Sequence, residues 1–216
     1  MTRVSWHSQK GLSLIELMIA ITLSIVIAAA MISLFVNSKQ NYRINQNMSR
    51  LQESARFAVS FLSRDIRMTD YRACVTADRL ANSISGENDT GLNDSDTVTL
   101  LWQTNACGTA SSTETRIYSI QTGATGTPAL FRSVNGAAAE ELVEGIESLQ
   151  ILYGEDTDND NVANYYVDAA SVTDMAQAIS VKVTLVARTL ESNLTSSGER
   201  ITRSFSSAVT LRNRLP

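Results

Sequence analysis

Leu12 to Val36 is a run of 25 residues with one charge, Glu16, and neither Pro nor Gly. As a helix rising about 1.5 Å per residue, it would be about 37 Å long. That exceeds the roughly 30 Å hydrocarbon core of a bilayer. The run therefore reads as a transmembrane helix, and the rest of the chain has to fold as something carried on it. Glu16 is the exception within it. A carboxylate at the centre of a membrane helix costs roughly 2.5–3.5 kcal/mol on insertion scales, and less near an end. Some partner has to offset that cost, which makes Glu16 a candidate functional residue.

The run is preceded by MTRVSWHSQKG, short and basic through Arg3 and Lys10. Gly11 followed by Leu12-Ser13-Leu14-Ile15-Glu16 and an apolar helix resembles the processing site of type IV prepilins. The resemblance implies that a dedicated prepilin peptidase cuts after Gly11 and methylates the new N-terminus. The mature chain then begins at Leu12, where most members have Phe, and Glu16 is its fifth residue. The new ammonium at Leu12 lies at the membrane edge. In a helical bundle Glu16 of one subunit can reach that charge on a neighbour, and the pair is cheaper in a low dielectric than either ion alone. In this reading Glu16 sets the axial register of assembly. Two other readings compete. One is a secretory signal peptide cleaved after Ala28-Ala29-Ala30, which would make the chain a periplasmic enzyme or binding protein; against it, the apolar run continues through Met31, Ile32, Leu34, Phe35 and Val36. The other is a plain single-pass anchor with an incidental Glu.

At 216 residues the chain has room for one ordinary domain beside the helix. Charge is unevenly spread. Residues 39–72 carry seven Lys or Arg against three acids, and residues 73–216 carry nine against eighteen. A stalk of +4 thus joins a head of −9. Neither is a strongly basic nucleic-acid platform, and no specific nucleic acid is inferred as a partner. The sole histidine, His7, lies in the segment expected to be removed. A mature chain without histidine excludes Ser-His-Asp and Cys-His nucleophilic sites and His-ligated zinc. Nothing points to carboxylate-only catalysis, so the expectation is not an enzyme. Cys74 and Cys107 form an even pair in a chain that leaves the cytoplasm, where a disulfide is expected. It would close a loop of about 34 residues, for which chain entropy gives about 4 kcal/mol; two separate buried thiols are the alternative. The pair also places the head outside the cytoplasm, because basic residues flank the apolar run on both sides.

From Asn37 to about Asp70 the helix is expected to continue. Ile44, Met48, Leu51, Ala55, Val59, Leu62 and Ile66 step by three or four and form one face. Phe57 and Phe61 broaden it, which suits packing on a sheet better than a free coiled coil. Ala77 to Asp96 is rich in Asn, Ser, Asp and Gly and reads as a surface loop. Strands are expected over Thr97–Trp102, Thr115–Gln121, Ala129–Ser133, Glu147–Gly154, Ala178–Thr189 and Arg200–Leu211. A long helix followed by mainly antiparallel strands is an α+β head. Three strings, RLQESARFAVSFLSRDIRMTDYRAC, LVEGIESLQILYGEDTDND and RSFSSAVTLRNRLP, resemble the PilW branch of minor pilins. The type II secretion pseudopilins share the same helix and processing site and remain the rival within the class.

Asp156, Asp158 and Asp160 alternate through EDTDNDN, as the first ligands of an EF-hand calcium loop do. The pattern departs from that rule, with Asn161 at the turn glycine and Val167 where the bidentate Glu belongs. An acidic, solvated turn is the alternative.

The expected organisation is a leader (1–11), a transmembrane and assembly helix (12–36), the amphipathic half of that helix (37–72) and a β-rich head (73–216). The resemblance implies a minor pilin that helps initiate or cap a type IV pilus, serving adhesion, twitching motility and DNA uptake. Its partners would be other minor and major pilins, the peptidase, the inner-membrane assembly machinery and the membrane itself. The precursor would span the inner membrane with its head in the periplasm, and the mature chain would move to the pilus and cell surface.

Overall fold

The computed structural model describes residues 11, 13–73, 80, 82–104, 112–195 and 197–215. The chain comprises two compact bodies, residues 1–45 and 46–216. Helix α1, Leu14–Met68, is continuous through the boundary. In the first body its apolar side chains from Leu14 to Val36 are exposed, Ile15 at 64% and Phe35 at 70% among them. It is long and apolar enough to cross a membrane.

In the second body burial begins at Leu51. Leu51, Ala55, Ala58, Leu62 and Ile66 are buried, one every three or four residues. The two alanines keep that face small, so that sheet side chains can approach the helix closely. The head has two antiparallel sheets. The first takes β1 (Ile84–Gly91), β2 (Ser95–Gln103), β3 (Thr113–Thr122), β4 (Pro128–Val134) and β5 (Glu140–Glu144) in simple chain order. The second has the order β7 (Tyr165–Val167), β6 (Ile146–Glu155), β8 (Ala178–Arg188), β9 (Thr202–Thr210). The core is the alternating residues of both: Val98, Leu100, Tyr118, Ile120 and Leu130 with Leu149, Ile151, Val181, Val183 and Leu185, closed by the helix residues above. The fold is therefore the expected α+β, with two sheets rather than one.

All six expected strands are present. The stretch Ala77 to Asp96, expected to be a loop, is corrected in part: residues 84–91 form β1, and Ser95 and Asp96 open β2. Its sequence, ISGENDTG, has poor strand propensity, but it is an edge strand and only Ile84 of its residues is buried. Cross-strand pairing from Ile84↔Leu100 to Glu87↔Thr97 overrides local preference. Gly86 is required there, because a Cβ would collide with the buried hydroxyl of Tyr153. Short β5 and β7 were also not expected.

The sheets are joined through the start of β2. The Asp96 carboxylate accepts from Ile151 N–H (2.7 Å), and Ser95 Oγ accepts from Leu149 N–H (3.3 Å). Burial raises the Asp96 pKa, against the pull of its hydrogen bonds from Ile151 and Asp89. At the helix exit Asp70 takes φ 60° and donates its N–H to Leu101 O (2.9 Å). The Asn213 amide donates to the carbonyls of Arg67 (3.1 Å) and Thr69 (3.0 Å), so the end of the chain caps the end of the helix.

Candidate functional site

Gly11 is exposed and outside any regular element, and α1 starts at Leu14. Leu12 lies outside the described residues. Between them Ser13 caps the helix. Glu16 N–H donates to Ser13 Oγ (3.3 Å), and Ser13 N–H donates to Glu16 Oε2 (3.4 Å). This is a reciprocal capping box, which satisfies two backbone donors that a helix start would leave open. Sequence reasoning fixed on the charge of Glu16 and missed Ser13, although the Ser-x-x-Glu spacing signals the box. Glu16 thus has a local role in the single subunit. It anchors the first turn beside the expected processing point, where its charge also complements the positive end of the helix dipole.

The next turns are built for an apolar solvent. Thr22 and Ser24 return their hydroxyls to the helix, donating to Ile19 O (2.9 Å) and Ala20 O (2.7 Å). Their polar groups need no outside partner.

A buried acid adds a polar tie between the head and its part of the helix. Asp65 accepts from Arg116 Nη1 (2.6 Å) and, in a short hydrogen bond, from the Tyr118 hydroxyl. Arg116 also pairs with Glu114 (2.6 Å), and its guanidinium lies 4.7 Å from the Trp102 ring centroid. Burial opposes the Arg116 charge, but the bonds to Asp65 and Glu114 outweigh it and raise its pKa. Burial, then the bond to Asp65, pushes the Tyr118 hydroxyl well above the usual tyrosine range. No local pattern announces this lock, because its partners are 51 and 53 residues apart.

The structure brings Asp156, Asp158 and Asp160 together, with one carboxylate oxygen from each within 4.8 Å of the others. Calcium takes oxygens at 2.3–2.6 Å, so the spacing suits three ligands of one ion. The same carboxylates also organise the turn. Asp156 accepts from the N–H groups of Asp160 (3.2 Å) and Asn161 (2.8 Å), and Asp160 accepts from Val162 N–H (2.8 Å). Burial works against ionised Asp156, but backbone bonds from Asn161 and Asn159 prevail and lower its pKa. Asn159 and Asn161 take φ of 60° and 68°, the turn chemistry that Asn tolerates. Cys74 and Cys107, the expected disulfide, lie outside the described residues.

Two families match the chain. Residues 6–32 match the prokaryotic N-terminal methylation motif, and residues 117–210 match Type IV Pilus-assembly protein W. The first match spans Gly11, the capping box and the start of the apolar helix. The second runs from β3 to the end of β9. No curated protein matches the chain.

Proposed function

Taking as premise that the chain is a type IV pilin-like protein of the PilW family, we propose that it is a minor pilin that initiates or caps the fibre. It is a membrane-anchored pilus-assembly protein and works with pilus components and the membrane machinery that assembles them. In the proposed sequence of events, Leu14–Val36 lies first in the inner membrane with the head in the periplasm. The peptidase then cuts between Gly11 and Leu12. The apolar helix afterwards moves from lipid into a bundle of like helices, where the Glu16 carboxylate meets the Leu12 ammonium of a neighbour. Both surroundings are apolar, so the transfer leaves little apolar surface to water.

The observation that carries this reading is the exposed apolar helix headed by Ser13 and Glu16, two residues after an exposed Gly11 that belongs to no regular element. The proposal also makes the chain a structural component rather than an enzyme, supported by the position of its sole histidine at residue 7.

The test separates the two roles of Glu16. Gln at this position can still close a capping box but carries no charge. Glu16→Gln should insert and be cleaved as the wild type is, yet fail to enter fibres. Glu16→Ala should lose the cap as well. Glu16→Gln entering fibres at wild-type levels would discredit the register role. Loss of pili rather than of protein secretion in a deletion strain separates this function from that of a type II secretion pseudopilin.

A further inference from the structure

A sheet edge exposes a row of backbone N–H and C=O groups that another strand can pair with, and proteins blunt such edges with charge, bulges or brevity. Among the described residues, three of the four edges here are blunted. β1 is broken by a register shift between Glu87 and Gly91 and carries Glu87 and Asp89. β5 has three glutamates in five residues, and β7 is three residues long. β9 is the exception. Its nine residues pair with β8 without a shift, and Arg203 is their one charge. Just beyond its two ends, Leu211 N–H donates to Ile179 O (2.8 Å) and Ile201 O accepts from Thr189 N–H (2.9 Å). Hydrogen-bonded pairs alternate along an antiparallel ladder, so the backbone groups of Thr202, Ser204, Ser206, Ala208 and Thr210 point away from β8. All five residues are exposed. Beside them, between α1 and β9, lies a notch of about 290 Å³ lined by Arg56, Val59, Ser60, Phe205 and Ser206.

We propose that β9 is extended by β7 of a second copy of this chain, so that two heads share one antiparallel sheet. The direction of α1 selects the donor. Asn47 bonds Glu191 ahead of β9 (2.7 Å), Val59 lines the notch with Phe205 at its middle, and Asn213 beyond it reaches Arg67 O (3.1 Å). α1 and β9 therefore run the same way. Pairing two β9 edges antiparallel would send the Gln46 ends of the two copies, each continuing into an apolar run, to opposite ends of the pair, where one bilayer cannot hold both. β7, β6, β8 and β9 alternate in direction, so β7 runs against α1. A second copy displaced sideways along the sheet brings its β7 antiparallel to β9 with both helices pointing the same way. This head-to-tail contact leaves one β7 and one β9 open at the ends, so it can repeat along a fibre. A three-residue edge is a poor template, but it can dock on a longer one and brings Tyr165, 40% exposed, as an anchor. Tyr165 lies opposite Glu155, on the side of the sheet where Tyr153 is buried, and so is carried toward the notch beside Phe205. Charge runs in the same sense without deciding the match: residues 155–174 hold six acids and no base, β9 holds Arg203 and no acid, and Arg56 at the notch has Glu53 one turn away. The inference rests on the membrane-anchored assembly reading and adds the contact between heads.

The test uses the full-length chain in membranes, with a photo-crosslinking residue in place of Ser204. The expected adduct is two copies of this chain joined between position 204 and residues 162–168. Ser206→Pro removes one outward N–H, which an edge strand tolerates, and Ala208→Lys adds a charge of the kind that blocks edges. Each should lower the adduct yield about ten-fold while the urea midpoint of the head stays unchanged, and Ala208→Lys keeps the test valid should the proline unfold the head. Tyr165→Ala should lower the yield as well. No adduct, an adduct to lipid or to a different protein alone, a copy-to-copy adduct that maps to β9, or one insensitive to both edge variants would overturn the proposal. Copies joined through β9 and β7 yet absent from fibres would support the contact and count against the assembly role alone.

Discussion

Leu23 and Leu62 lie on the same helix and meet different fates. Leu23 is 58% exposed, in a stretch that is apolar all round, while Leu62 is fully buried under the head. One helix thus serves two solvents. Its first part is left for lipid or for other helices, and its second part is already spent on the core of its own subunit. A helix apolar on every side has no preferred face and so can exchange lipid for neighbours. A helix with one apolar stripe is committed to a single partner. The chain therefore has its exposed apolar surface in residues 14–36 and its buried stripe between Leu51 and Ile66.

The largest effect is expected at Asp65. Asp65→Ala leaves the buried Tyr118 hydroxyl without its acceptor and Arg116 with Glu114 alone, and should destabilise the head by about 3–5 kcal/mol, read from urea unfolding of the full-length chain in detergent. Next comes the pair that states the comparison. Leu62→Ala should cost about 2–5 kcal/mol, whereas Leu23→Ala should leave unfolding of the head unchanged. An equal effect from both would break the division. Asn213→Ala, which uncaps the carbonyls of Arg67 and Thr69, should cost about 1 kcal/mol.

The smallest effect is a dependence on pH. Asp168 is held below the usual aspartate range, first by its hydrogen bonds with Ser171 and Asn88, and Asp156 is lowered by the backbone bonds described above. For a depressed carboxylate the stabilisation is complete above the unfolded value of about 3.9. It is lost as pH falls through the folded value. The unfolding midpoint should therefore decline below about pH 4, and Asp168→Asn should flatten the decline. Asp96, raised by burial, acts in the opposite sense. Its contribution is present at low pH and is lost as pH rises through its folded value.

What the sequence announced follows from periodicity. Leu51, Ala55, Leu62 and Ile66 mark the buried stripe, and Leu149, Ile151 and Tyr153 mark the inward side of β6, because burial repeats at the period of the element. β1 escaped because an edge strand needs little burial of its own. β5 follows Asn135-Gly136, both at positive φ (51° and 75°), a turn signal open to reading before the strand. At the site, the chain advertises Glu16 by its chemistry and Ser13 by spacing alone. Asp65 is different in kind. Its importance depends on Arg116 and Tyr118 arriving from another element, which no local pattern records.

The central claim is that the apolar helix becomes free to join a fibre once the chain is cut ahead of it. Mass spectrometry of the N-terminal peptide from the mature protein tests this directly. The account predicts a peptide beginning at methylated Leu12; an intact Met1, or a start near Met31, would contradict it.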